Sequence, residues 1–394
     1  MGLTTHRPGM RFLLAAALSM FSLTTSCGHS SWPLWSGYSA RFIDHHTGRV
    51  ADPDGDQHTT SEGQAYALFF ALAANDRPTF DRILSWTQTN LAAGDLATHL
   101  PSRLWGKDND GQWRILNPNS ASGADVWTAY TLLEAGRLWN SPSDTNLGRS
   151  MLGLIAKNEV VDLPGFGPML LPGPSGFQHG NAVTLNPSYL PLFLFQRLAA
   201  ADPAGPWSAI ATGIPRLLEQ SSRHGFAMDW VEYVPGDGFH PVTGPAAANS
   251  ATASDPDPCG SYDAIRVYLW AGMINPGNAQ RRSILNSVGA MAAYLATHRA
   301  PPEKVTDQGI PSEQNGPIGF SAAVLPYLRA LHDSSKASGA QLIRLSAQRN
   351  LASGLYGNGS AYDDQCLALF GTGFSTGRFR FGSGGELNVE WERG

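Results

Sequence analysis

Glu62, in Thr60-Ser61-Glu62-Gly63-Gln64, and Asp263, in Ser261-Tyr262-Asp263-Ala264-Ile265-Arg266, each stand at the mouth of an apolar helical stretch. Two carboxylates held across a cleft can hydrolyse a glycosidic bond without metal or cofactor. One protonates the leaving oxygen while the other activates water or attacks directly. Asp125 and Tyr189 occupy equivalent positions at the start of two further apolar stretches, and Arg266 follows Asp263 by one helical turn, where it can hold that carboxylate ionised. A first-turn carboxylate is also simply a good partner for a helix dipole, so position alone does not establish chemistry. The dipole favours ionised Glu62, whereas a general acid must carry its proton. Burial or a second carboxylate has to supply that environment, and Asp125 is the candidate neighbour.

Scattered residues of this kind need a frame that returns each helix start to the same place. Helical stretches fall in pairs: 34–46, one from Ser61 carrying the stripe Ala65, Leu68, Phe69 and Leu72, then 79–92, 124–139, 144–157, 187–200, 207–221, 262–273, 277–297, 317–332, 338–349 and 361–371. Those beginning near 62, 124, 187, 262, 317 and 361 are the more apolar and alternate with more polar ones, as inner and outer rings would. The expected fold is therefore all-α, an (α/α)6 barrel of six helical hairpins that gathers Glu62, Asp125, Tyr189 and Asp263 on one face. Small β-hairpins are expected in the loops, at Leu104 to Leu116, at Phe226 to Val242, and around Gly382 to Gly385.

The chain of 394 residues is 42% hydrophobic with a net charge of −5, enough for a large core and without the basic run that nucleic acid would need. No linker divides it after its N-terminus. Residues 1–27 read as an export signal: Arg7 and Arg11 precede an apolar run from Phe12 to Leu23 and a small polar stretch ending at Cys27. That run is too short to span a bilayer, and Cys27 suits either lipidation or simple cleavage, so contact with membrane is expected only through that anchor. Residues 28–394 read as a single catalytic domain. Cys259 and Cys366 fall on helical segments separated by an intervening hairpin and are expected to remain unpaired with each other. Eleven Trp and eleven Tyr are a surplus that suits stacking on sugars as well as core filling. Trp105 and Trp230, in the loop hairpins, and Trp127, close to Asp125, are the candidate platforms. Tyr262 and Tyr189 each offer a polar tip for a hydroxyl or a water.

Three patterns lead elsewhere and fail on inspection. Gly373-Phe374-Ser375-Thr376-Gly377 has nucleophile-elbow spacing but no histidine after it. Asp52, Asp54 and Asp56 alternate like the start of a calcium loop, yet Gln57 and Gly63 stand where glycine and glutamate belong. The histidines include the pair His45-His46 but none at zinc-protease spacing, so no metal is expected.

The ordered segments Thr60–Gln64, Leu104-Trp105-Gly106-Lys107, Asn119-Ser120-Ala121-Ser122, Asp125-Val126-Trp127, Asn186-Pro187-Ser188-Tyr189-Leu190, Ser261–Arg266 and Gly319-Phe320-Ser321-Ala322-Ala323 together resemble glycoside hydrolase family 8, from Trp32 to about Trp391. Within the family the likeness is to the periplasmic endoglucanases encoded with bacterial cellulose synthase. The resemblance implies an (α/α)6 fold, inverting hydrolysis of β-1,4-glucan, Glu62 as general acid and Asp263 as general base. It also implies supporting roles for Asp125 on the central sugar and for Tyr189 and Arg266 around water and base. An exported enzyme cutting cellulose chains during their secretion follows, associated in function with a cellulose synthase and needing no cofactor. Chitosan, xylan or mixed-linkage glucan are alternative substrates, since the acid/base pair does not read substituents. A catalytically silent glucan-binding partner of the synthase is a third reading, against which the retention of both carboxylates argues.

Overall fold

The computed structural model describes residues 1–2, 32–245, 257–331, 336–359 and 361–393. The apolar run of the expected signal and Cys27 lie outside the described residues. Trp32–Gly394 forms one unit of mutually packed elements, and no helix among the described residues is long and apolar enough to cross a membrane.

Thirteen α-helices carry the described chain: α1 Pro33–Phe42, α2 Ser61–Ala73, α3 Arg77–Leu91, α4 Ser122–Leu138, α5 Pro142–Asn158, α6 Leu192–Ala201, α7 Trp207–Ser221, α8 Ala264–Met273, α9 Arg281–Ser287, α10 Ala290–Leu295, α11 Ile318–Ala330, α12 Ala337–Ala347 and α13 Tyr362–Thr376. The inner ones are apolar on nearly every side. All of α2 except Glu62 is buried, as is almost all of α4 and α11, whereas α3 and α7 bury one stripe and show polar residues to water. Neighbouring inner helices touch in a closed cycle. α2 packs on α4, α4 on α6, α8 on α11 and α11 on α13. Phe193 meets Trp270 to join α6 to α8, and Phe370 meets Phe69 and Phe70 to join α13 to α2. The interior of the cycle is aromatic, with Trp127, Trp270, Phe193, Phe370 and Phe381 in edge and stacked contacts. Gly272 and Gly371 let α8 and α13 approach α11: a Cβ on either would fall about 2 Å from backbone atoms of Tyr327 or Ala322.

Three helices depart from the sequence reading for local reasons. The stretch from 187 opens as a 3-10 turn, Pro187–Tyr189, because Pro191 pushes Leu190 out of the helical region and α6 starts only at Leu192. The helix expected over 277–297 is two, broken at Val288-Gly289, where a β-branched residue and a glycine weaken helix propagation. The helix expected from Ser61 is capped by Thr60, whose Oγ1 accepts from Gly63 N at 3.0 Å, while Gln64 buries its amide against Val50 N and Thr87 Oγ1.

Among the described residues, five small antiparallel sheets decorate the loops. β1 (Thr59–Thr60), β2 (Ser102–Lys107) and β3 (Trp113–Ser120) form one, and β4 (Val160–Leu163) pairs with β5 (Gly167–Leu170). β6 (Gln178–His179), β7 (Ala182–Leu185), β8 (Val231–Val234) and β9 (Gly238–Pro241) form a four-stranded sheet. β10 (Cys259–Gly260) pairs with β11 (Val305–Thr306), and β12 (Phe379–Phe381) with β13 (Leu387–Val389). The three expected hairpins are present as β2–β3, β8–β9 and β12–β13. β4–β5 and β6–β7 are additions. Gly373 to Thr376 close α13, with Gly377 in the left-handed conformation after it, so this serine ends a helix rather than topping a strand-to-helix elbow.

Candidate active site

Glu62 enters its position by a short path. β1 pairs Thr59 with Trp105 and Thr60 with Leu104, and α2 starts at the next residue, so the hairpin behind it fixes the first turn of the helix. Asp263 arrives at the N-cap of α8, with its backbone NH held by Asp229 Oδ1 at 3.1 Å. Arg266, one turn into α8, then joins the two. Its Nη1 lies 3.3 Å from Glu62 Oε1, and its Nη2 bonds both Asp263 Oδ1 and Ser188 Oγ, the latter at 3.0 Å. Ser188 is itself fixed by donating to Asn186 Oδ1 at 2.6 Å. Burial opposes the guanidinium charge, but Glu62, the Tyr66 phenol and Asp263 outweigh it and hold Arg266 well above its ordinary range.

Glu62, Asp263 and Arg266 line a cleft of about 530 Å³ with Tyr189, Tyr262, Tyr66, Arg103, Phe320 and Asp363. Glu62 and Asp263 keep 29% and 12% of their side chains exposed there, so both can meet a ligand. Burial raises the Tyr189 phenol, which therefore remains a neutral hydroxyl donor. Tyr262 donates to Glu303 Oε1 at 2.9 Å, and burial together with that bond pushes it up to about 12.

The sequence matches the pattern of the family described as "Glycosyl hydrolases family 8" over residues 7–377. The chain belongs to glycosyl hydrolases family 8. It is an inverting glycoside hydrolase. It is 45% identical to an endoglucanase of Xanthomonas axonopodis pv. citri (strain 306) over 97% of this chain and 94% of that protein. It is 41% identical to an endoglucanase of Escherichia coli (strain K12) over 95% of this chain and 94% of that one. The crystal structure of endo-1,4-D-glucanase from Vibrio fischeri ES114 superposes with a TM-score of 0.81 at 35% identity, covering 92% of this chain and 100% of that one.

Not every residue singled out in the sequence of this hydrolase reaches the cleft. Trp127 is 2% exposed and packs against Tyr66, Phe69, Tyr130, Phe193, Trp270 and Phe370. Trp230 is 1% exposed, with its ring stacked on Phe177 and edge-on to Tyr189. Both are core side chains, and the platform reading is corrected: no sugar reaches a ring enclosed by other rings. Trp105 is half-buried, stacked on Trp113 and in contact with Trp86 and Arg49, and it is not among the residues lining the cleft.

Asp125 is also displaced from the expected role on the sugar. It is wholly buried in the first turn of α4 and is not among the residues lining the cleft. It faces Glu159, whose Oε1 accepts from Ser120 Oγ at 2.5 Å. Burial and the Glu159 charge raise Asp125, and burial raises Glu159 to about 7, so a proton is held between the two.

The carboxyl that neighbours Glu62 is Asp363, in the first turn of α13. It is exposed at the cleft, where crowding by protein atoms and then the Glu62 charge raise its carboxyl. The same first-turn signal that picks out Glu62 and Asp125 marks Asp363 in the sequence. Asp52 and Asp54, on the turn that mimics a calcium loop, line the cleft as well. Cys259 and Cys366 are not joined to each other: Cys259 Sγ is 3.9 Å from Asp229 Oδ2, and Cys366 Sγ is 3.8 Å from Tyr38 Oη.

Proposed function

We propose that this hydrolase cuts β-1,4-glucan chains internally with inversion, Glu62 acting as general acid and Asp263 as general base, within an (α/α)6 barrel. One observation carries the assignment: a single buried guanidinium, Arg266, spans both carboxylates at the mouth of one cleft. In the reaction Glu62 gives its proton to the glycosidic oxygen as that bond breaks. Asp263 takes a proton from the water that attacks the anomeric carbon from the opposite face, so one water is added across the bond. Arg266 binds the Asp263 carboxylate for that task, and the Tyr189 hydroxyl, on the cleft lining, orients the water. The closed cycle of inner helices and the Vibrio fischeri relative support the barrel, and the endoglucanase names of the relatives support the substrate.

The first 27 residues are read as an export signal that delivers the enzyme to the periplasm or beyond, with lipidation or cleavage at Cys27. There it acts on nascent or amorphous cellulose in functional association with a cellulose synthase. Fractionation of cells expressing the full chain, with a Cys27→Ser comparison, tests the location and the anchor. Proton NMR of early products from a β-linked cello-oligosaccharide tests the reaction. The first new reducing ends should be the α-anomer before mutarotation, and a β-anomer burst would make Asp263 a nucleophile instead. Neutral oligosaccharides suit this assay better than anionic carboxymethylcellulose, because Asp52, Asp54 and Asp363 line the cleft.

A further inference from the structure

A helix N-terminus leaves backbone N–H groups that must find acceptors, and an aspartate at the N-cap ordinarily supplies its own carboxylate. Asp263 occupies that position in α8 but makes no such bond; its carboxylate binds Arg266 and lines the cleft. The caps come from elsewhere. Asp229, buried between α7 and β8, accepts through Oδ1 from the N–H groups of Ser261, Asp263 and Ala264 at 2.8, 3.1 and 2.7 Å. Its Oδ2 accepts from Ser261 Oγ at 2.8 Å, and its own N–H donates to the Cys259 carbonyl at 2.9 Å.

We propose that Asp229 is a positioning residue for hydrolysis: it takes over the capping of α8, fixes the Asp263 backbone, and so releases the Asp263 carboxylate to work on water. The proposal rests on the reading of Asp263 as general base. A neutral acceptor would satisfy the same N–H groups, so the charge has a consequence of its own. Held directly behind the base, it favours proton uptake by Asp263 as water is deprotonated. The groups facing the pair are Cys259 from β10, Tyr268 and Arg266 from α8 and Tyr189 from the 3-10 turn, with Glu62 of α2 reached through Arg266. Burial, then the Asp263 charge, pushes Asp229 up to about 6, which leaves it ionised at neutral pH.

The test uses the full chain carrying Asp229→Asn, whose amide oxygen can still accept the backbone N–H groups. Turnover of cellopentaose is followed across pH, alongside thermal unfolding. The expected result is kcat roughly tenfold to a hundredfold lower with KM within about twofold, and an acid limb of kcat moved to lower pH. Folded Asp229→Asn with wild-type kcat and an unmoved acid limb would overturn the proposal, since a purely structural cap changes folded fraction and not the profile. Should this variant not fold, Ser261→Ala removes one donor and keeps the carboxylate. A fall in kcat of about threefold at unchanged KM supports the role, and wild-type kcat overturns it. Asp263→Asn separates the two claims. Near wild-type activity there would remove the base assignment, whereas inactive Asp263→Asn beside wild-type Asp229→Asn removes only the positioning role.

Discussion

Replacing Glu159 by Gln is expected to remove much of the pH dependence of this protein's stability. Glu159 and Asp125 face each other without exposure to water, and Glu159 holds its proton to about pH 7 against an ordinary value of 4.5. A carboxyl whose folded value is raised stabilises the fold fully below the unfolded value and loses that contribution as pH rises through the folded one. The interval between 4.5 and about 7 corresponds to about 3 kcal/mol, lost from roughly pH 4.5 to just above pH 7. The glutamine side chain of Glu159→Gln would keep an acceptor for Ser120 and offer Asp125 an N–H donor, leaving Asp125 as the one titrating group of the pair. Urea unfolding of the native chain and of Glu159→Gln at pH 5 and pH 8 reads the effect. Asp229 is also raised and lowers stability in the same direction, but equally in both proteins, so the difference between the two slopes reads the Glu159–Asp125 pair. Equal slopes, or native stability that rises from pH 5 to pH 8, would refute a shared proton at this pair.

Two further substitutions separate site from scaffold. Arg266→Met should lower kcat by roughly a hundredfold, because charge-assisted bonds of about 1.5–3 kcal/mol to Asp263 and Glu62 are lost together; steady-state kinetics on cello-oligosaccharides measures this. Trp127→Ala should cost about 3–5 kcal/mol of unfolding free energy while KM of the folded fraction stays within about twofold, and a large KM increase in stable protein would restore the platform reading.

The paired helices were legible because burial on one or on all sides leaves different apolar patterns, and the inner helices carry the fuller ones. Their order brings Glu62, Tyr189 and Asp263 to one cleft as the paired pattern requires. What periodicity could not show was local backbone chemistry: Pro191 and Gly289 each interrupt a helix whose side chains continue the stripe. Which face of α4 meets the cleft was equally hidden, so Asp125 and Trp127 looked like site residues although one is buried against Glu159 and the other lies in the aromatic core. Asp363 carried the same first-turn signal as Glu62 and was readable on that rule. Asp229 was not, since its partners at Ser261, Asp263 and Ala264 are brought to it only by the fold.

The central claim is that Glu62 donates the proton and Asp263 activates the water. Turnover of Glu62→Gln on two cello-oligosaccharides, one with an ordinary sugar leaving group and one with a dinitrophenyl leaving group, tests it most directly. A dinitrophenolate departs without protonation, so the account predicts turnover reduced by about 10²–10⁴ on the ordinary substrate and largely restored on the activated one. Equal loss on both substrates, or near wild-type turnover on the ordinary one, would contradict the assignment of Glu62 as the acid.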